Sequence, residues 1–197
     1  MEILAVSGLG NPGKKYAMTR HNLGFLLVDL IKQKSDAKAS WKSWEGLGDY
    51  SGVRVSDSKK IFLLKPMTYM NDSGRMLASF LEFHKILPES ALVCYDDTAL
   101  DFGRIRIRKE GSSGGHKGMK SVIDFLGTRD VPRIRIGIGP KPARVDSKDY
   151  VLEKFMPEQK NAVPRILEKC AEAVVCALEK GIDAAMNIYN HGDFSAD

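Results

Sequence analysis

The chain has 197 residues, which is enough for one large domain whose core needs neither disulfides nor metals. It is 43% hydrophobic and 28% charged, a composition that excludes extensive disorder. Lys plus Arg exceed Asp plus Glu by 30 to 25, and this net charge of +5 mildly favours a polyanionic partner, although a basic protein without one explains the charge equally well.

The chain contains 3 cysteines, none in a CxxC spacing, so we predict neither a disulfide framework nor a zinc site. Residues 1–3 do not form a basic signal region, and no apolar run reaches the ~18 residues that a membrane helix needs. We therefore expect a cytoplasmic protein with no membrane partner.

The first half of the chain predicts alternating strands and helices. A short apolar strand over residues 3–6 leads through a glycine-rich loop to a helix that starts near Asn22 as its cap. Residues 35–48 are polar and predict a poorly ordered surface loop. Two β-rich runs, residues 50–55 and 61–64, predict a hairpin.

A helix follows the loop at residues 66–74, and Asn71 or Asp72 is a candidate for its N-cap. Residues 91–95 are continuously apolar, as expected of a strand buried on both faces, and they end at Asp96-Asp97. In open α/β sheets, ligands bind at the carboxyl ends of such strands.

Arginine alternates with isoleucine in two later runs, residues 103–109 and 132–138. Pairing of these runs as strands would merge their arginines into one positive stripe suited to phosphates. A solvated face that guards a sheet edge explains the same pattern. The arginines are Arg104, Arg106 and Arg108 in the first run and Arg133 and Arg135 in the second.

The last third of the chain predicts helices joined by irregular segments. Residues 139–150 are rich in proline and charge and form a candidate mobile lid. Beyond Pro157, apolar residues follow helical spacing as far as Leu178, and residues 190–197 are expected to be a frayed tail. We expect a single domain over residues 1–197.

Two glycine motifs suggest other functions. Residues 8–13 match the dinucleotide pattern GxGxxG, but the next helix starts about ten residues too late to bind a pyrophosphate at its N-terminus. Residues 111–115 match the nucleophile elbow GxSxG. The downstream histidine, His191, lies in the predicted frayed tail, which disfavours a triad with Ser113.

The sequence supports metal catalysis even less, because the 4 histidines show no HxxxH or HxxE spacing. A group of Asn11, His21, Asn71 and Asp96 remains, from segments that can converge at one sheet edge. His21, oriented by Asp96, would take a proton from water, and the two carboxamides would hold a carbonyl or a developing oxyanion. This chemistry needs no covalent intermediate.

The chain also resembles bacterial peptidyl-tRNA hydrolase in four motifs. They are GLGNPGKKYAMTRHNLG at residues 8–24, KPMTYMNDSG at 65–74, GSSGGHKGMKS at 111–121 and RIRIGIG at 133–139. The resemblance implies one α/β domain with a twisted mixed β-sheet flanked by helices. It also implies an esterase that cleaves the bond between a peptide and the 3′-terminal ribose of tRNA, which recycles tRNA during translation.

By motif position, the resemblance implies that His21 is the catalytic base and Asp96 its partner, and that Asn11 and Asn71 hold the substrate. It implies further contacts for two groups of residues. Those lining the peptide and acceptor-end cleft are Tyr16 and Met70, and those near tRNA phosphates are Arg108, Lys120 and Arg135. No cofactor and no metal are implied, and a monomer is our default expectation.

The chain departs from the family at Lys117, where the family usually has asparagine. Lysine cannot accept a hydrogen bond, so it would contact a phosphate or the terminal ribose, or Asn11 alone would hold the water. Thr98-Ala99 also replaces a more acidic turn. The rival interpretation is a non-catalytic RNA-binding protein, since the fold resembles that of plant organelle splicing factors.

Overall fold

The computed structural model describes residues 2–35, 38–56, 59–192 and 194. Strands in this part of the chain form one mixed sheet. They are β1 (Ala5–Gly8), β2 (Lys42–Trp44), β3 (Gly48–Ser56), β4 (Lys59–Pro66), β5 (Ala91–Asp101), β6 (Ile105–Arg108) and β7 (Arg133–Gly139). Their spatial order is β2-β3-β4-β1-β5-β7-β6.

Helices cover both faces of the sheet. They are α1 (Leu23–Ser35), α2 (Ser73–His84), α3 (Lys117–Leu126), α4 (Ser147–Leu152), α5 (Pro157–Lys160), α6 (Val163–Lys180) and α7 (Ile182–Tyr189). Residues of α1, α6 and α7 belong to one hydrophobic cluster, and residues of α2 and α3 belong to a second. No helix in the described ranges is long and apolar enough to cross a membrane.

Strand β5 is apolar on both faces because it lies in the middle of the sheet. Leu92 and Cys94 pack into the first cluster, whereas Val93 and Tyr95 pack into the second. Successive side chains of a strand point to opposite faces, so burial on both sides produces an unbroken apolar run. The expected α/β fold with a mixed sheet flanked by helices is confirmed.

Several predicted boundaries were wrong. Residues 42–44, expected in a surface loop, form the edge strand β2, and the Trp44 ring packs edge-on against Phe80 with a centroid distance of 4.8 Å. Strand β5 continues through Asp96 to Asp101, and the periodic run after Pro157 is divided between α5 and α6. The hairpin is the antiparallel pair β3–β4.

The segment expected to fray is only partly described. Asn190 donates its side-chain amide to the Ile107 carbonyl at 3.3 Å and accepts from the Ile107 N–H at 2.6 Å. The Phe194 N–H donates to the Gly103 carbonyl. This described part is therefore tied to β6 and its approach, and residues 193 and 195–197 lie outside the described part of the chain.

The four central strands run parallel, so their carboxyl ends lie at one edge of the sheet, where the candidate site is found. Strands β4, β1, β5 and β7 are parallel neighbours, whereas β2, β3 and β6 pair antiparallel at the two sides. The chain leaving β1, β4 and β5 therefore emerges at one edge of the sheet. Ligand sites of open α/β sheets lie at this edge.

Helix α1 lies directly against the sheet through two glycines. A Cβ atom added to Gly8 would lie 2.0 Å from the Gly24 carbonyl oxygen, and one added to Gly24 would lie 2.3 Å from the Leu9 nitrogen. Both neighbours are backbone atoms, which cannot rotate away. The close approach therefore requires glycine at both positions, whatever the φ angle.

We expect Gly24→Ala to lower the free energy of unfolding by about 3 kcal/mol or more, because the new methyl group overpacks against fixed backbone. Urea denaturation measures this loss. The matched control is Gly52→Ala in β3, where an added Cβ meets nothing within 4 Å. That variant should be neutral or slightly stabilised, and equal losses in both variants would contradict the packing argument.

Candidate active site

Two histidines donate to one buried carboxylate oxygen at the carboxyl edge of the sheet. His21 Nδ1 lies 2.8 Å from Asp96 Oδ1, and His116 Nε2 lies 3.1 Å from the same oxygen. His21 lies in the 3-10 turn Arg20–Asn22 before α1, and Asp96 lies within β5. The two imidazole rings have centroids 4.9 Å apart.

The hydrogen bonds determine which nitrogen of each ring carries a proton. His116 Nδ1 accepts from the Met119 N–H at 3.1 Å, so the neutral ring carries its proton on Nε2 and donates it to Asp96. Asp96 likewise holds the His21 proton on Nδ1. The lone pair of His21 Nε2 is then available to accept a proton from a group in the adjoining cavity.

Asp96 stays ionised although it is buried. Burial by itself raises the pKa of the carboxyl, but the electrostatic attraction of His21 and His116 and the hydrogen bond from each of them outweigh it. The pKa therefore lies well below its usual range. Asp96 Oδ2 is buried without a hydrogen-bond partner among the described residues, so the stabilisation reaches this carboxylate through Oδ1.

Asn11 is held by its own backbone and by its side-chain oxygen. Its N–H donates to Asn22 Oδ1 at 2.9 Å, and its carbonyl accepts from Asn22 Nδ2 at 3.0 Å. Its Oδ1 accepts from the Met70 N–H at 2.8 Å, which directs Nδ2 toward the cavity as a donor. Asn22 thus orients Asn11, in addition to its place before α1.

A cavity of about 720 Å³ opens beside His21 and Asp96. Five predicted substrate-binding residues line it: Asn11, Tyr16, Met70, Asn71 and Lys117. Asn71 is exposed in the 3-10 turn Met70–Asp72, and no side-chain cap for α2 comes from Asp72. Asp72, and not Asn71, occupies the N-cap position of α2. Asn71 therefore does not cap this helix, and it lines the cavity.

The chain is similar to known proteins over nearly its whole length. A family model described as Peptidyl-tRNA hydrolase matches residues 5–196. The chain belongs to the peptidyl-tRNA hydrolase family. Curated relatives of that name occur in Elusimicrobium minutum, with 44% identity over 95% of this chain and 99% of the relative, and in Fervidobacterium nodosum, with 48% identity over 98% of each.

A solved structure of peptidyl-tRNA hydrolase from Acinetobacter baumannii superposes with a TM-score of 0.89 at 30% identity. The match covers 98% of this chain and 96% of that chain. The resemblance stated from four motifs is thus confirmed for both family and fold.

Arg20 links the turn that contains His21 to α4. Its Nη1 donates to the Tyr150 carbonyl at 3.0 Å and to Glu153 Oε2 at 3.3 Å, and its guanidinium lies 4.2 Å from the centroid of the Tyr150 ring. The Arg20 N–H also donates to the Glu153 carbonyl. The end of the predicted lid, at Tyr150, is thereby fixed against the residue next to His21.

The predicted positive stripe forms only in part. Strands β6 and β7 pair as expected, with Arg106 opposite Arg135 and Arg108 opposite Arg133. Arg133, however, is 1% exposed and donates to the carbonyls of Gly111 and other loop residues, so it holds the loop before α3. That loop covers the strand face, which a pattern of alternation cannot reveal.

The other basic residues lie at different distances from the cavity. Arg135 donates to Asp97, which lines the cavity, at 2.5 Å, and exposed Lys120 pairs with Asp124 on α3. Arg108 lines a separate groove with Glu89 and Asp130. Arg135 is therefore next to the site, whereas Arg108 belongs to another part of the surface.

The geometry disfavours the two alternative chemistries, a serine nucleophile and a metal site. The described lining of the cavity includes His116 but neither Ser113 nor His191. In the described ranges, His21, Asp96 and His116 offer ligand atoms within 4.8 Å of one another. A metal on His116 Nε2 would force the ring proton onto Nδ1, opposite the Met119 N–H, so this cluster is better suited to proton transfer.

Three residues that shape the site were not assigned a role in it from the sequence: His116, Asn22, which was predicted only as a helix cap, and Arg20. His116 was visible within GSSGGHKG as a histidine opening a helix, but nothing local connects it to Asp96, 20 residues earlier. Arg20 contacts a residue 130 positions away. Such partners follow from the folded chain alone.

We expect Asp96→Asn to lower the free energy of unfolding at neutral pH, because the variant lacks the stabilisation of the ionised Asp96 carboxylate. Because the folded pKa of Asp96 is lowered, the unfolded chain binds the proton first as pH falls, and the contribution is lost progressively below about pH 5. The free energies of unfolding of wild type and variant should differ most above that pH and converge on acidification. Urea denaturation at stepped pH measures the difference.

The control for this experiment is Asp124→Asn, which removes an exposed carboxylate paired with Lys120. Its free energy of unfolding should stay close to that of wild type at each pH, because exposed ion pairs contribute little. A constant gap between Asp96→Asn and wild type down to acid pH would show that folding does not lower the pKa of this carboxyl.

Proposed function

We propose that this chain hydrolyses the ester between a peptide and the 3′-terminal ribose of tRNA, by direct attack of water activated by His21. The observation that carries the proposal is the hydrogen bond between His21 Nδ1 and buried Asp96 at the wall of an open cavity. It leaves one imidazole nitrogen free to act as a base. The activity named for the relatives supports the same reaction.

In the first step, His21 Nε2 takes a proton from water while the water oxygen attacks the ester carbonyl carbon. Asp96 stabilises the imidazolium that forms and holds the ring in position. The bond to the ribose 3′-oxygen then breaks, and that oxygen receives the proton from His21. The products are a free peptide carboxyl group and a 3′-hydroxyl, so no covalent intermediate or cofactor enters the reaction.

The Asn11 amide is suited to hold the carbonyl oxygen. Its Oδ1 is already bonded to the Met70 N–H, so the side chain presents only donors to the cavity. Donors fixed before reaction stabilise the negative charge that develops on the oxygen. Asn71 supplies a second amide from the turn beside it.

His116 contributes through Asp96. It donates to the same oxygen as His21 and helps to keep the carboxyl ionised. A protonated Asp96 would lose much of its ability to stabilise an imidazolium. His116 is therefore a positioning residue for the base in this mechanism.

The peptide and the acceptor end would lie along the cavity wall formed by Tyr16 and Met70. Residues of α4 form another part of the cavity lining. Arg108, Lys120 and Arg135 would contact tRNA phosphates. Residues 139–150 would act as a lid over the substrate. We also propose a cytoplasmic monomer that needs no metal.

We expect His21→Ala to abolish hydrolysis of peptidyl-tRNA while leaving tRNA binding nearly intact, since the side chain is the base and not a phosphate ligand. Release of the peptide and a filter-binding assay with uncharged tRNA measure the two properties. His191→Ala is the matched control, because His191 is exposed and outside the cavity. Turnover by His21→Ala at a near-native rate would refute the mechanism.

The same assays separate an enzyme from an RNA-binding protein without activity. An enzyme cleaves peptidyl-tRNA and binds uncharged tRNA more weakly or equally well. Purified protein that binds both RNAs and cleaves neither would favour the RNA-binding rival. The arrangement of His21, Asp96 and Asn11 argues for the enzyme, because an RNA-binding surface needs no oriented base.

We expect Lys120→Gln to weaken binding of uncharged tRNA and to reduce the slope of log affinity against log salt by about 0.9, as one phosphate contact is lost. Titration at several salt concentrations measures the slope. Lys169→Gln is the control, because Lys169 is paired within its own helix as Lys120 is, but lies on α6, which packs into the other hydrophobic cluster from α3. Equal changes in both variants would indicate a general effect of charge instead of a contact.

A further inference from the structure

The charged side chains that line the cavity are unequally paired. They are Asp96, Asp97, Lys117 and Lys148. Asp96 accepts from two histidines, and Asp97 accepts from Arg135. Both lysines are exposed, and neither ammonium group has a hydrogen-bond or ion-pair partner among the described residues. Asp96 is thus hydrogen-bonded and Asp97 is ion-paired, whereas the two lysines are charged groups of the lining without a partner among the described residues.

The two lysines belong to separate elements that are both fixed near the base. Lys117 is the first residue of α3 and follows His116, which is bonded to Asp96. Lys148 lies in α4, whose Tyr150 carbonyl accepts from Arg20 beside His21. Each ammonium group is thus carried on a backbone whose position relative to His21 is set by hydrogen bonds.

We propose that Lys117 and Lys148 together bind the phosphodiester that joins the terminal nucleoside of the tRNA to the nucleoside before it. This inference rests on the proposed function. The scissile ester and that phosphodiester are attached to the same ribose, one at its 3′-oxygen and the other at its 5′-oxygen. When the ester carbon is beside His21, the phosphate is the anion nearest to the cavity.

The proposal also gives Lys117 a role that an asparagine could not fill. An amide can donate a hydrogen bond to a phosphate oxygen, but it carries no charge to neutralise it. An ammonium group supplies both, with three donors on a flexible stem. Lys117 on α3 and Lys148 on α4 would both bind the phosphate and so position the terminal ribose attached to it.

Two non-hydrolysable inhibitors test the proposal. Both carry an N-acetylated aminoacyl group in amide linkage to the 3′-position of adenosine, and only one has a cytidine joined through the 5′-phosphodiester. For the wild type we expect the phosphodiester-bearing inhibitor to bind at least ~10-fold more tightly in competition with peptidyl-tRNA, as charge-assisted hydrogen bonds to a phosphate should produce. The inhibitor without a phosphate measures every other contact.

The double variant Lys117→Gln, Lys148→Gln should lose this preference, bind the adenosine inhibitor as the wild type does, and hydrolyse peptidyl-tRNA with a raised KM and a nearly unchanged kcat. The double variant with arginine at both positions should keep the preference. Lys154→Gln is the control, because Lys154 is exposed and lies outside the cavity lining. It should behave as the wild type.

Other outcomes would overturn the inference. A wild type with no preference for the phosphodiester, including one that neither compound inhibits, would show that the cavity does not bind this phosphate. A glutamine variant that keeps the preference would exclude the two lysines while leaving the proposed function intact. A wild type that fails to cleave peptidyl-tRNA would remove the proposed function and this inference with it.

Discussion

The buried carboxylate of Asp96 is the interaction on which the site depends. A carboxylate in the interior is costly unless charged or donating groups compensate for lost water. Here His21 and His116 provide that compensation through one oxygen. The requirement fixes the protonated nitrogen of each ring, and so it leaves His21 with one basic nitrogen beside the cavity.

The position of the backbone brings His21 to this carboxylate. The close approach of Gly8 and Gly24 places the start of α1 against the end of β1, so the turn containing His21 comes near β5. The Arg20 side chain then connects that turn to α4. Adjacent residues of one turn, Arg20 and His21, thus contact one wall of the cavity and the buried carboxylate.

Charge is distributed differently inside the cavity and on the surface around it. Inside, both acids have fixed partners, and Lys117 and Lys148 have none among the described residues. Outside, Arg133 is used to hold a loop, and Lys120 has an acidic neighbour on its own helix. Arginine and lysine content alone therefore overstates the surface available to RNA.

The sequence alone determined the fold class, the buried central strand, the hairpin and the family, because periodicity, turn residues and motifs are local properties of the chain. It also predicted that His21, Asp96 and Asn11 meet at one sheet edge, although β5 extends past Asp96. Only the tertiary structure decided the protonated nitrogen of His116, the burial of Arg133 and the docking of Asn190 on β6. Each depends on a contact with atoms distant in sequence, which no local pattern encodes.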